Sequence, residues 1–115
     1  MTIAQAVSQL DALTPNPFSR EEKLLWLSRA EAAVCRITGE ALPSFTADTL
    51  PDTPLSAPAP YDELYLRYLQ AQVCLEQGEI GRCNNAMALY NNALAQFHRF
   101  HIRENTTLQP HFTNF

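Results

Sequence analysis

Apolar residues recur at helical spacing in four stretches of the chain. The first opens with Thr2-Ile3-Ala4-Gln5, a capping box in which a hydroxyl and an amide three residues apart close on each other's backbone. Ile3, Ala6, Val7, Leu10 and Leu13 follow on one face, and the pattern stops before Pro15 and Pro17. Ser19-Arg20-Glu21-Glu22 is a second capping box, with Phe18 placed as a staple onto the first turn. Leu24, Leu27, Ala30, Val34 and Ile37 form its stripe, widened by Leu25, Trp26 and Ala33, and Gly39 is the expected left-handed terminator. A third stretch begins around Pro60-Tyr61-Asp62-Glu63, with acids in the positive first turn. Its stripe is Leu64, Tyr68, Ala71 and Leu75, flanked by Tyr61, Tyr65, Leu69 and Val73, and it ends at Gly78. A fourth starts near Ile80, where Cys83, Met87, Tyr90, Leu94, Phe97 and His101 alternate by four and three as in a coiled-coil seam. Ala86, Leu89, Ala93 and Phe100 add a second flank.

These patterns predict an all-α fold, a small bundle of about four helices whose last two form an antiparallel hairpin across a very short link. Residues 40–60 break the pattern. Pro43, Pro51, Pro54, Pro58 and Pro60 lie there, a density that neither a helix nor a central strand accepts. Two readings stand side by side: a functional loop, or a crossover strap packed by Leu42, Phe45, Leu50 and Leu55. Residues 106–115 carry no charged side chain and hold Leu108, Phe112 and Phe115, which predicts an extended C-terminal arm beyond a helical domain of residues 1–105.

Charge changes the picture in one place. The chain has 8 basic and 12 acidic residues, too little positive charge for a phosphate-gripping surface. Between Arg36 and Arg67 no base occurs, while Glu40, Asp48, Asp52, Asp62 and Glu63 all do. The odd cysteine count, Cys35, Cys74 and Cys83, fits small buried thiols in a reducing compartment. The first residues lack the basic start and apolar run of a secretory signal, and no segment is apolar enough to span a bilayer.

Candidate chemistry is sparse. No glycine-rich phosphate loop or nucleophile elbow occurs. His98, His101 and Glu104 sit at steps of three, which turns the first and last about 240° apart on a helix, so one ion does not collect all three. No catalytic residue, metal or cofactor is expected. Asn84, Asn85, Asn91 and Asn92 form two pairs seven residues apart, so both pairs present the same faces. They are either solvated surface or polar partners across a subunit contact.

Three stretches together resemble a known family: Phe45 to Thr53, Ala57 to Tyr65 with its Pro60-Tyr61-Asp62-Glu63-Leu64-Tyr65, and Gly78 to Asn91 with its Gly78-Glu79-Ile80 and Asn84-Asn85-Ala86-Met87-Ala88-Leu89-Tyr90-Asn91. The chain is similar over essentially its whole length to the small head–tail connector (adaptor) proteins of long-tailed phages and prophages. Cys83 departs from the aromatic residue expected in such relatives. Cys74 and Leu50 also depart, standing where acidic or aromatic neighbours are expected. The resemblance implies a non-enzymatic structural protein of the virion neck, assembled in the host bacterial cytoplasm. It implies a ring of about twelve copies beneath the portal, whose head-to-tail contacts need two different lateral surfaces. It further implies extension of the DNA channel without specific DNA binding, and docking of the next neck or tail component. On this view Leu108, Phe112 and Phe115 grip the portal, Asp48 and Asp52 face the channel, and the four asparagines lie between subunits. A small bacterial helical adaptor with no virion role is the competing expectation.

Overall fold

A computed structural model describes residues 1–107. It is all-helical, with α1 spanning Ile3–Leu13, α2 Arg20–Thr38, α3 Glu63–Gln77 and α4 Ile80–Thr107. The helix ends follow from local chemistry. Both capping boxes form: Thr2 accepts from the Gln5 amide and Ser19 from the Glu22 amide, while Gln5 and Glu22 reach back to the cap backbone. Gly39 (φ 83°) and Gly78 (φ 74°) end α2 and α3 in the left-handed region, which a side chain disfavours. Phe18 stacks edge-on against Trp26, with ring centroids 5.3 Å apart, about one turn farther along α2 than the first turn it was expected to staple.

α3 is the central helix. It packs against α1, α2 and α4, whereas α1 and α4 do not touch each other. A helix covered on several sides must be apolar around most of its circumference. Accordingly Leu64, Tyr65, Leu66, Leu69, Ala71, Val73 and Cys74 are all buried. α3 starts at Glu63, later than Pro60, because a turn closed by the Tyr61 amide on the Pro58 carbonyl precedes it, with the Ala59–Pro60 peptide cis. The link to α4 is so short that the two helices run antiparallel, and aromatic side chains fill the seam. Tyr61 lies against Phe97 and Phe100, and Tyr68 against Tyr90. The predicted α4 stripe faces inward, with Cys83, Tyr90 and Phe97 buried and Met87, Leu94 and His101 half-buried. α4 continues through Thr106 and Thr107, where the arm was expected to begin. Residues 108–115, with Leu108, Phe112 and Phe115, lie outside the described residues.

The segment between α2 and α3 runs beside the N-terminus. Leu55 donates to the Met1 carbonyl, and Ile3 and Ala4 donate to the Thr53 and Pro51 carbonyls at 3.0 and 2.9 Å. Helix first turns leave amides without intrahelical partners. Here the amides of Ile3 and Ala4 are taken up by this segment and that of Gln5 by Thr2. Arg20 adds two guanidinium contacts, to the carbonyls of Ala47 and Thr49. Leu55 and Ala57 are buried and Phe45 packs partly against the core, but Leu42 and Leu50 are exposed, so only half of the expected apolar strap contacts exist. Leu25 and Leu75, expected on the buried stripes of α2 and α3, are also exposed.

Candidate interaction surfaces

A buried carboxylate on α2 gathers several hydrogen bonds in the interior. Glu31 lies on α2 between Leu27 and Val34 and is 4 % exposed. Its carboxylate accepts from the Ser56 amide at 2.9 Å, the Ser56 hydroxyl at 2.8 Å and the Tyr65 hydroxyl at 2.6 Å. The Tyr65 oxygen accepts in turn from the Ala57 amide at 2.9 Å. One buried acid therefore ties together α2, α3 and the inter-helix segment. A buried carboxylate is tolerable only when its oxygens are satisfied by donors, as here. Burial first, and then the hydrogen bond to Glu31, raise the Tyr65 hydroxyl well above the usual tyrosine range. Burial, with the nearby charges of Glu31 and Glu40, also pushes the Cys35 thiol up. With Glu31 and Tyr65 buried and Ser56 at the surface end, this cluster is an anchor.

Lys23 is the second buried ion, with its ammonium 2.8 Å from Asp11 and its stem covered by the bundle. Neither Glu31 nor Lys23 was singled out from the sequence.

The residues that the sequence did single out lie at the surface. Asp48 and Asp52 are exposed on the inter-helix segment. Thr46 and Thr49 organise the turn around Asp48, its own amide donating to the Thr46 hydroxyl. Asn84, Asn85, Asn91 and Asn92 are exposed on α4, in the company of Leu89, which is also exposed. His98 is exposed, and His101 is half-buried near Phe97 and bonded to Asn105. Among the described residues no group of three or more His, Cys, Asp or Glu is arranged to hold a metal ion. No helix among them is long and apolar enough to cross a membrane.

Because α1 and α4 do not meet, α3 is uncovered between them. The result is an open groove of about 260 Å³ lined by Thr14, Gln70, Cys74, Arg82, Ala86 and Leu89, with Asn85 at its edge. Gln70 donates to Thr14 across its α1 side, and Arg82 pairs with Glu79 at its α4 end. The groove is mainly apolar, and Leu13, Leu75 and Ile80, from the same helix ends, are exposed.

The class defined by the fold is a four-helix all-α protein with a long non-helical excursion between its second and third helices. No protein-family model, curated protein or solved structure matches the chain.

Proposed function

We propose that the chain is a structural head–tail connector, forming a ring beneath the portal of a long-tailed phage or prophage and docking the next neck or tail component. The observation that carries this reading is the sequence resemblance of residues 45–53, 57–65 and 78–91 to such adaptors. These stretches supply the inter-helix segment, its entry into α3, and the start of α4. Two surface features support it. The groove between α1 and α4, edged by Asn85 and Leu89, is one candidate lateral surface. The inter-helix segment with exposed Leu42 and Leu50 is a second, different one, as a head-to-tail ring requires. Asp48 and Asp52, exposed and without a neighbouring base in sequence, suit a wall past which DNA slides, since negative walls repel phosphates. In this reading the arm of residues 108–115 grips the portal through Leu108, Phe112 and Phe115.

The test mixes the purified protein with portal rings and measures the mass of the complex, then repeats the measurement with residues 108–115 deleted. Multiple copies per portal, lost on deletion, are expected. A chain absent from purified virions that binds neither itself nor the portal overturns the reading. The apolar groove favours a second reading, a peptide-binding bacterial adaptor, which predicts a monomer that ignores portal rings.

A further inference from the structure

The hairpin register brings two of the three cysteines together. Seven residues forward on α3 correspond to seven backward on α4: Tyr61 meets Phe97 and Tyr68 meets Tyr90. The next such step pairs Leu75 with Cys83, but Leu75 points outward, and its neighbour Cys74 takes the inward position. Both thiols are free and buried, and they lie close enough for one to act on the other's charge: burial first, and then Cys74, pushes the Cys83 thiol up. The backbone holds them at the turn. Glu79 donates to the Cys74 carbonyl at 3.2 Å and accepts from the Cys83 amide at 2.9 Å. The two are about equally covered, 6 and 5 % exposed, and Cys74 is the one that lines the open groove. Cys35 is remote. It interacts with Tyr65, which lies nine residues, about 13 Å, along α3 from Cys74.

We propose that Cys74 and Cys83 are a dithiol site that hydrogen peroxide converts into a disulfide stapling the α3–α4 turn. The Cys74 sulfur, reached through the groove, attacks one peroxide oxygen. The O–O bond breaks, Cys74 becomes a sulfenic acid, and the departing hydroxide leaves as water with the thiol proton. The Cys83 sulfur then displaces the sulfenic hydroxyl, which leaves as a second water with the Cys83 proton. Two thiols lose two electrons and one peroxide becomes two waters. The site stands whether or not the chain is a connector. It matters to any protein that leaves a reducing cytosol, where the pair stays open, for oxidising surroundings, where it closes.

The test treats the intact protein with hydrogen peroxide, blocks remaining thiols under denaturing conditions and maps the peptides. The expected product is lighter by two hydrogens, carries a Cys74–Cys83 link within one chain, leaves Cys35 open to alkylation, and melts higher by about 10 °C until reduced. In a Cys83→Ala variant the sulfenic acid should accumulate on Cys74, where a dimedone probe traps it. Three cysteines that alkylate as in untreated protein overturn the proposal. A link through Cys35, or one between chains, overturns it equally.

Discussion

Tyr65→Phe removes one oxygen from the interior and leaves the ring. In the wild type that oxygen donates to Glu31 at 2.6 Å and accepts from the Ala57 amide at 2.9 Å. Without it Glu31 keeps only the two donors of Ser56, and the amide of Ala57, a residue 1 % exposed, has no partner. A hydrogen bond to a charged group contributes about 1.5–3 kcal/mol, and a stranded buried donor costs about 1–3 kcal/mol. The two effects share one atom, so they do not add fully, and about 3 kcal/mol is expected. At about 2.1 cal/mol/K of unfolding entropy per residue, a chain of 115 residues has about 0.24 kcal/mol/K, so Tm falls by about 12 °C. Thermal and urea unfolding followed by far-ultraviolet circular dichroism measure this directly. Tyr68→Phe is the control, since Tyr68 is half-buried against Tyr90 through its ring. In a Glu31→Ala background the Tyr65→Phe cost should shrink, because the stronger of its two bonds is already gone. A Tyr65→Phe variant melting within a degree or two of wild type would refute the anchor, because the geometry leaves no other partner for the Ala57 amide.

The same group sets the alkaline limit. Tyr65 is raised mainly by burial and then by Glu31, and Tyr90 by burial and then by Tyr68, so the native state holds both protons more tightly than the unfolded chain does. Their contribution is fully present below about pH 10 and is lost as pH rises through the raised native values. Stability should fall by up to about 1.4 kcal/mol per unit of pH for each tyrosine, and urea titrations of wild type and Tyr65→Phe above pH ~10 should show the shallower slope in the variant. Phe97→Ala should cost about 3–5 kcal/mol in urea unfolding at unchanged m-value, since Phe97 is 2 % exposed and its ring meets those of Tyr61 and Phe100. Gly78→Ala should cost about 1–2 kcal/mol purely through the positive φ of 74°, because a methyl there meets open space, and a loss below a few tenths in the same assay would contradict that.

Legibility in the sequence tracked the range of the interaction. Thr2 with Gln5, Ser19 with Glu22, and the terminators Gly39 and Gly78 act within a turn of their own helix, so helix ends could be read from neighbouring letters. The α4 stripe was equally local. Glu31 was missed because its partners lie 25 and 34 residues onward, and no periodicity encodes that distance. A signal did exist: Glu31 falls four residues after Leu27 and three before Val34, and Lys23 falls four before Leu27. A charged residue on an apolar stripe asks for a partner from elsewhere in the chain. Leu25 and Leu75 failed in the opposite sense. Both are apolar and near a stripe, yet α2 and α3 have no neighbour on those sides, and which flank of a stripe is covered depends on the arrangement of the other helices. Asp48, Asp52 and the four asparagines could be placed on their elements, and all six are exposed there.

The five prolines between α2 and α3 follow from how that segment meets the rest of the protein. Proline has a carbonyl and no amide hydrogen, so a proline-rich stretch offers acceptors and asks for few donors. The first turn of a helix has the reverse deficit, with amides that have no carbonyl to meet. The Pro51 carbonyl takes the Ala4 amide and the Thr53 carbonyl takes the Ile3 amide, while Pro54, bridged to Thr2, has no amide of its own left over. The remaining amides near the end of the segment, those of Ser56 and Ala57, go to Glu31 and to the Tyr65 hydroxyl. A stretch of chain too rich in proline for a helix is thus fastened, between Pro51 and Ala57, to the start of α1 and to the Glu31 cluster. Asp48 and Asp52 are carried on a segment fastened from α1, from Arg20 and from Glu31, and their negative charge is displayed at fixed positions without an exposed helix or sheet edge to support it.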